Sequence, residues 1–188
     1  MRPLLVLLAT GVFVAATAAF GDELARPVRD VTVIQDEHGA ARILFNVDPL
    51  TGLTDIAVSK ALLRFTTAGV AEGRRMTLVV HPITRPWLAG SVSWTSPWSN
   101  PGGDFDPELY ARLELNLAEG SSTHVLDLTP LIKEIVEEGT PMQGFLLTVD
   151  PSEGTGLRVA DLGRFQGFGT AAVEIRYRHV SPRLRRAG

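Results

Sequence analysis

The sequence predicts an all-β protein, a jelly-roll-like β-sandwich of about ten short antiparallel strands with one short amphipathic helix. Three observations predict it. Runs that alternate apolar and polar residues recur along the chain, with Gly, Pro, Asn and Asp between them. Helical patterns are missing between successive runs, which argues against βαβ units. A single stretch places Leu128, Leu131, Ile132, Ile135 and Val136 at helical spacing.

The strands are expected, in order, at 28–34, 41–47, 57–66, 77–81, 91–94, 112–117, 125–128, 145–149, 157–161 and 173–180. In the third, Ala61, Leu63 and Phe65 share one face. Residues 77–81 (TLVVH) are almost continuously apolar, the pattern of a strand buried on both faces. The helix has Thr129 as its expected N-cap, Pro130 at its first position and Gly139 as its stop. It reads as a structural cover over one open end of the core. Gly163 to Gly169 (GRFQGFG) lacks the Lys-Ser/Thr ending of a nucleotide loop and reads as a turn between the final strands.

The N-terminus reads as a signal peptide over residues 1–21. Arg2 supplies the basic n-region, and residues 4–20 carry no charge. Small residues follow, and cleavage after Ala18 or after Gly21 fits the small-x-small rule. The apolar run is slightly short of the ~20 residues a spanning helix needs. The expectation is therefore a secreted or periplasmic protein, with no integral membrane association after cleavage. One β-sandwich domain follows over 22–180, and then a basic, disordered tail over 181–188 with Arg183, Arg185 and Arg186.

Net charge is −3, or −4 once Arg2 leaves with the leader. So weak an acidity gives no electrostatic footprint for nucleic acid. The chain has no Cys. That excludes a lipoprotein anchor, thiolate catalysis and Cys-based zinc sites.

The most unusual stretch is 86–107. All three tryptophans, Trp87, Trp94 and Trp98, fall within it. Indoles on a loop can stack on sugar rings, and they can equally pack inside with the N–H bonded. Trp87 and Trp94, near or inside an expected strand, favour packing. Trp98 stands among Pro, Ser, Asn and Gly, and both readings stay open for it. Asn100, Asp104 and Asp106 follow in a Gly-rich loop. Oxygen ligands at this spacing suit structural Ca²⁺, with Asp104 and Asp106 as the ligands, although no EF-hand closes the loop. No HExxH and no GxSxG occurs, and the four His are scattered. A catalytic residue is not expected.

The order of features resembles the DNRLRE-domain family, secreted β-sandwich modules related to disaggregatase-type carbohydrate-binding modules. The resemblance rests on Ala61-Leu62-Leu63-Arg64-Phe65, on Trp87 and Trp94 spaced by six residues, and on Pro101-Gly102-Gly103-Asp104-Phe105. It continues through Asp127-Leu128-Thr129-Pro130-Leu131-Ile132 and Gly144-Phe145-Leu146-Leu147. The chain departs from the family at Ile135, where a Trp is usual, at Leu162-Gly163-Arg164-Phe165, and at Ala171-Ala172, where a Pro is usual. The resemblance implies a jelly-roll-like sandwich whose family role is carbohydrate binding or surface attachment. Together with the loop at 86–107, the expectation is a non-catalytic module that binds extracellular or cell-envelope polysaccharide through Trp98, Asn100, Asp104, Asp106, Trp94 and Trp87. The alternative is a structural or assembly subunit of the cell surface or extracellular matrix. A small polysaccharide lyase ranks third. Trp98 exposed beside Asp104 would favour binding. Trp98 in the core, or an open sheet edge, would favour assembly.

Overall fold

The computed structural model describes residues 21–48, 55–68, 74–117, 120–141, 143–150, 152, 157–158, 161 and 163–180. The tail expected over 181–188, and all of the expected leader except Gly21, lie outside the described residues.

Eight strands and one α-helix follow in the order β1 (Asp22–Gln35), β2 (Ala41–Val47), β3 (Ile56–Ala68), β4 (Arg74–Pro82), β5 (Ala111–Leu117), β6 (Ser121–Asp127), α1 (Thr129–Glu137), β7 (Phe145–Val149) and β8 (Ala172–His179). All neighbours are antiparallel, in the order β5-β4-β7-β2-β1-β8-β3-β6. Strand β1 belongs to both halves of this order. Its residues 22–27 pair with β8 and its residues 28–35 pair with β2. The change of partner falls between Pro27 and Val28, and a bulge follows between Arg29 and Thr32, where Asp30 adopts φ +51°. Two four-stranded layers result, 1-8-3-6 and 2-7-4-5. That pairing is a jelly roll built from two Greek keys.

The expected fold class therefore holds, with eight strands among the described residues rather than about ten. The expected strand at 91–94 is not a strand, and of the one expected at 157–161 residues 159 and 160 lie outside the described residues. Residues 91–94 form turns, because their amides bond locally: Ser91 and Val92 N–H to Leu88 O, and Ser93 N–H to Ser96 O. Near 157–161, the described residues make one isolated bridge, Ala40 to Arg158. The glycine-rich segment is a 3-10 helix, Gly163–Thr170, whose Phe165 and Phe168 enter the core.

The inner residues of the two layers form the main core. Phe45 centres it, with ring centroids of Phe145 at 5.3 Å and of Phe168 at 5.0 Å. Such pairs add ~0.5–1.5 kcal/mol beyond area burial.

Helix α1 takes over where β6 stops. Strand β6 pairs with residues 62–68 of β3, leaving the first half of β3 without that neighbour. There Ala61 N–H donates to Thr129 Oγ1 at 2.9 Å, and Val58 N–H donates to Glu137 Oε1 at 2.7 Å. Thr129 was expected as N-cap, but Leu128 holds that position. The Thr129 hydroxyl is turned to β3 instead, and Asp127 Oδ1 accepts the Thr129 N–H. Leu131 and Ile132 bury the apolar face of the helix. No helix among the described residues is long and apolar enough to cross a membrane.

Candidate functional site

Residues 84–106 fold over the outer face of the 2-7-4-5 layer. Strand β2 reads Ala-Arg-Ile-Leu-Phe-Asn-Val, so alternation points Ile43 and Phe45 inward and Arg42 and Leu44 outward. Strand β7 likewise sends Leu147 inward and Leu146 outward. Leu44 and Leu146 are nevertheless fully buried. The loop seals them in a second apolar cluster with Ile34, Ile83, Trp87 and Trp98, against which Val92, Trp94 and Phe105 pack.

Trp98 is 7 % exposed and Trp87 8 %. Their indole N–H groups donate to the carbonyls of Ser93 and Gln143, each at 2.8 Å. Both rings are the loop's own core and offer no free face to a sugar. Trp94 is half-buried and lies in turns, not in the strand expected for it.

The two candidate carboxylates brace the loop. Asp104 accepts the N–H of Ser99 at 2.8 Å and of Asn100 at 3.0 Å, and it pairs with Arg85 Nε at 2.9 Å. The Ser99 N–H, then that of Asn100 and the Arg85 charge, hold its carboxyl below the ordinary range against a smaller opposing effect of burial. Asp106 Oδ1 accepts the N–H of Glu108 and Leu109. These are the local backbone bonds that Asp makes in turns. No group of three His, Asp or Glu that could hold a metal ion occurs among the described residues. Asn100 is exposed at the rim.

The residue that the sequence reading missed is Arg42. Its guanidinium carbon lies 5.1 Å from the centroid of Trp94 and 5.3 Å from that of Phe105, so two rings hold it. Nη1 donates to Gly102 O. Gly102 (φ +91°) and Gly103 (φ +118°) need to be glycine here. A Cβ on Gly102 would lie 2.8 Å from Arg42 Nη1, and one on Gly103 would lie 2.8 Å from Leu146 Cδ1. Burial lowers the Arg42 pKa from its ordinary value, yet a guanidinium stays charged at neutral pH. No carboxylate among the described residues lies within ion-pair distance of it. It borders an open trough of about 630 Å³ with Thr84, Arg85, Ser99, Asn100 and Phe105. The available signal was a lone cation on the outward stripe, Arg42, Leu44 and Asn46, of a mostly apolar strand.

His81 lies beneath, its ring 4.6 Å from that of Phe105. Its Nδ1 faces the carbonyls of Asp106 (3.0 Å) and Leu109 (3.3 Å), so Nδ1 carries the proton and donates. Burial pushes its pKa down, the two carbonyls oppose this, and Arg42 adds to the lowering. His81 is therefore neutral at neutral pH, and Arg42 carries the charge of the site. The Thr67 hydroxyl lies 2.8 Å from His124 Nε2, but Thr67 is buried, so this contact is closed to a substrate.

No protein-family model matches this chain, and no curated protein matches it.

Proposed function

We propose that the protein is an exported, non-catalytic module that binds polysaccharide in the Arg42 trough, with carboxylate or sulfate groups of the glycan docking on the guanidinium. The observation that carries the reading is a cation held between Trp94 and Phe105, without a carboxylate partner among the described residues, at the mouth of a trough. A guanidinium fork matches an oxyanion in shape and charge. Asn100, Ser99 and Thr84 supply groups for sugar hydroxyls, and Phe105 supplies part of a ring face, while Trp94 holds Arg42 from outside the trough's lining. The resemblance to DNRLRE-domain modules supports the same reading, and Arg2 followed by the uncharged apolar run 4–20 supports export. Trp87 and Trp98 leave the proposed ligand set, and Asp104 stays in it only as the partner that positions Arg85. A structural calcium ion would have to share the Asp104 and Asp106 oxygens with the loop amides.

The test is a titration of the mature protein with polygalacturonate, a sulfated glycan and neutral dextran. The expected result is binding to one of the anionic polymers, weakened by salt and lost in Arg42→Gln with an unchanged melting temperature. Binding to none, or equal binding to dextran, refutes it. A Trp98→Ala control would report on stability rather than on ligand contact. The second reading, an assembly subunit, is favoured by the burial of Trp98 and by the edge of β1, which no strand among the described residues covers.

A further inference from the structure

We infer that residues 31–33 of β1 pair, antiparallel and about a twofold axis, with the same strand of a second copy of this chain. Residues 28–35 are bonded to β2 on one side, and no strand among the described residues occupies the other. A row of unpaired backbone groups is a template for strand addition. The segment Val31-Thr32-Val33-Ile34-Gln35 has no charge and no proline, and four of its five residues are β-branched. Val31 is 39 % exposed and Val33 44 %.

Charges normally guard such an edge. Here the flanking charges are drawn back to the strand's own layer. Arg29 pairs with Asp48 at 2.7 Å, and Asp30 Oδ2 accepts Asn46 Nδ2 at 3.0 Å.

The occupant follows from the sequence of the edge. Val31-Thr32-Val33 reads the same in both directions. A twofold axis at Thr32 therefore sets Val31 of each copy opposite Val33 of the other, with all four valines on one face. An isologous contact requires such self-complementarity. An axis at Thr32 would set Ile34 and Gln35 against Asp30 and Arg29 of the other copy, where the bulge breaks the pairing, so the ladder is limited to residues 31–33 and the dimer is expected to be weak and dependent on concentration. This sharpens the assembly reading and uses none of the Arg42 trough, so either proposal can fail alone.

The test is sedimentation velocity on the mature protein across a wide concentration range, combined with oxidative cross-linking. The chain has no Cys, so Thr32→Cys carries its sole thiol. Directly opposed residues of an antiparallel pair have Cα atoms ~4.5–5.5 Å apart, within reach of a disulfide. Dimers should accumulate with concentration, and Thr32→Cys should cross-link. Val33→Lys should abolish the dimer while leaving the melting temperature in place, and Val125→Cys on the exposed part of β6 should not cross-link. A monomer at every concentration, a dimer indifferent to Val33→Lys, or equal cross-linking at Val125 would overturn the inference. So would protection of the 31–33 amides by an added extended peptide but never by concentration alone.

Discussion

The two outer faces of the sandwich are built on different plans. On the 1-8-3-6 layer, outward side chains meet water. Arg64 pairs with the half-buried Glu174 at 2.9 Å, and the exposed Arg176 and Glu23 pair at 3.4 Å. Such pairs contribute little to stability. On the 2-7-4-5 layer, the outward Leu44 and Leu146 are as buried as the core, because the tryptophan-bearing loop covers them. One face is a solvated surface. The other is a second hydrophobic cluster with a cation, Arg42, threaded through its rim. A row of aromatic residues in a loop can thus serve as a floor that holds a site in place without being the site.

The largest effect that tests this difference lies at two adjacent residues. Leu146 and Leu147 stand side by side on β7, point to opposite faces and are both fully buried. Each mutation to Ala should cost ~2–5 kcal/mol in urea unfolding. If Leu146→Ala costs only a few tenths of that, the loop is not a lid and the comparison breaks. Next in size is the bare layer's own cover. Thr129→Val strips Ala61 N–H of its acceptor under α1 and should cost ~1–3 kcal/mol. A neutral result would mean that β3 does not depend on the helix for its free amides.

The smallest effect is a dependence on pH. Burial holds His81 below its ordinary value of 6.5 in the fold, and His124 is shifted the same way by burial. As pH falls through 6.5, the unfolded chain takes up protons that the folded chain refuses. Stability is therefore full above that value and declines on acidification below it. His81→Asn should flatten part of the decline in melts recorded from about pH 8 to about pH 5. An unchanged slope would place the acid sensitivity outside the loop layer.

Much of the architecture was legible because it is local. Residues 41–47 and 145–149 stand in the fold with the bounds their apolar runs suggest, and 77–81 proved buried on both faces, Leu78 and Val80 within and Val79 and His81 without. The N-terminal half of β1 was not legible, since Ala25-Arg26-Pro27 shows no alternation and is fixed only by pairing with β8. Residues 91–94 alternate like a strand yet find no partner. The candidate site was half legible. The loop that carries it stood out by composition. The burial of Trp98 did not, because it depends on β2 and β7 lying side by side, a hundred residues apart in the chain. Arg42 was hidden for the same reason, as its two rings come from the distant loop.

The central claim is that the loop's tryptophans support recognition while Arg42 performs it. The most direct measurement is calorimetric titration of one anionic polysaccharide into the wild type, Arg42→Gln and Trp98→Phe, all folded at the working temperature. The account predicts a loss of about tenfold or more for Arg42→Gln, the worth of a charge-assisted hydrogen bond, and near wild-type affinity for Trp98→Phe. Undiminished binding by Arg42→Gln, or its loss in Trp98→Phe, would contradict it.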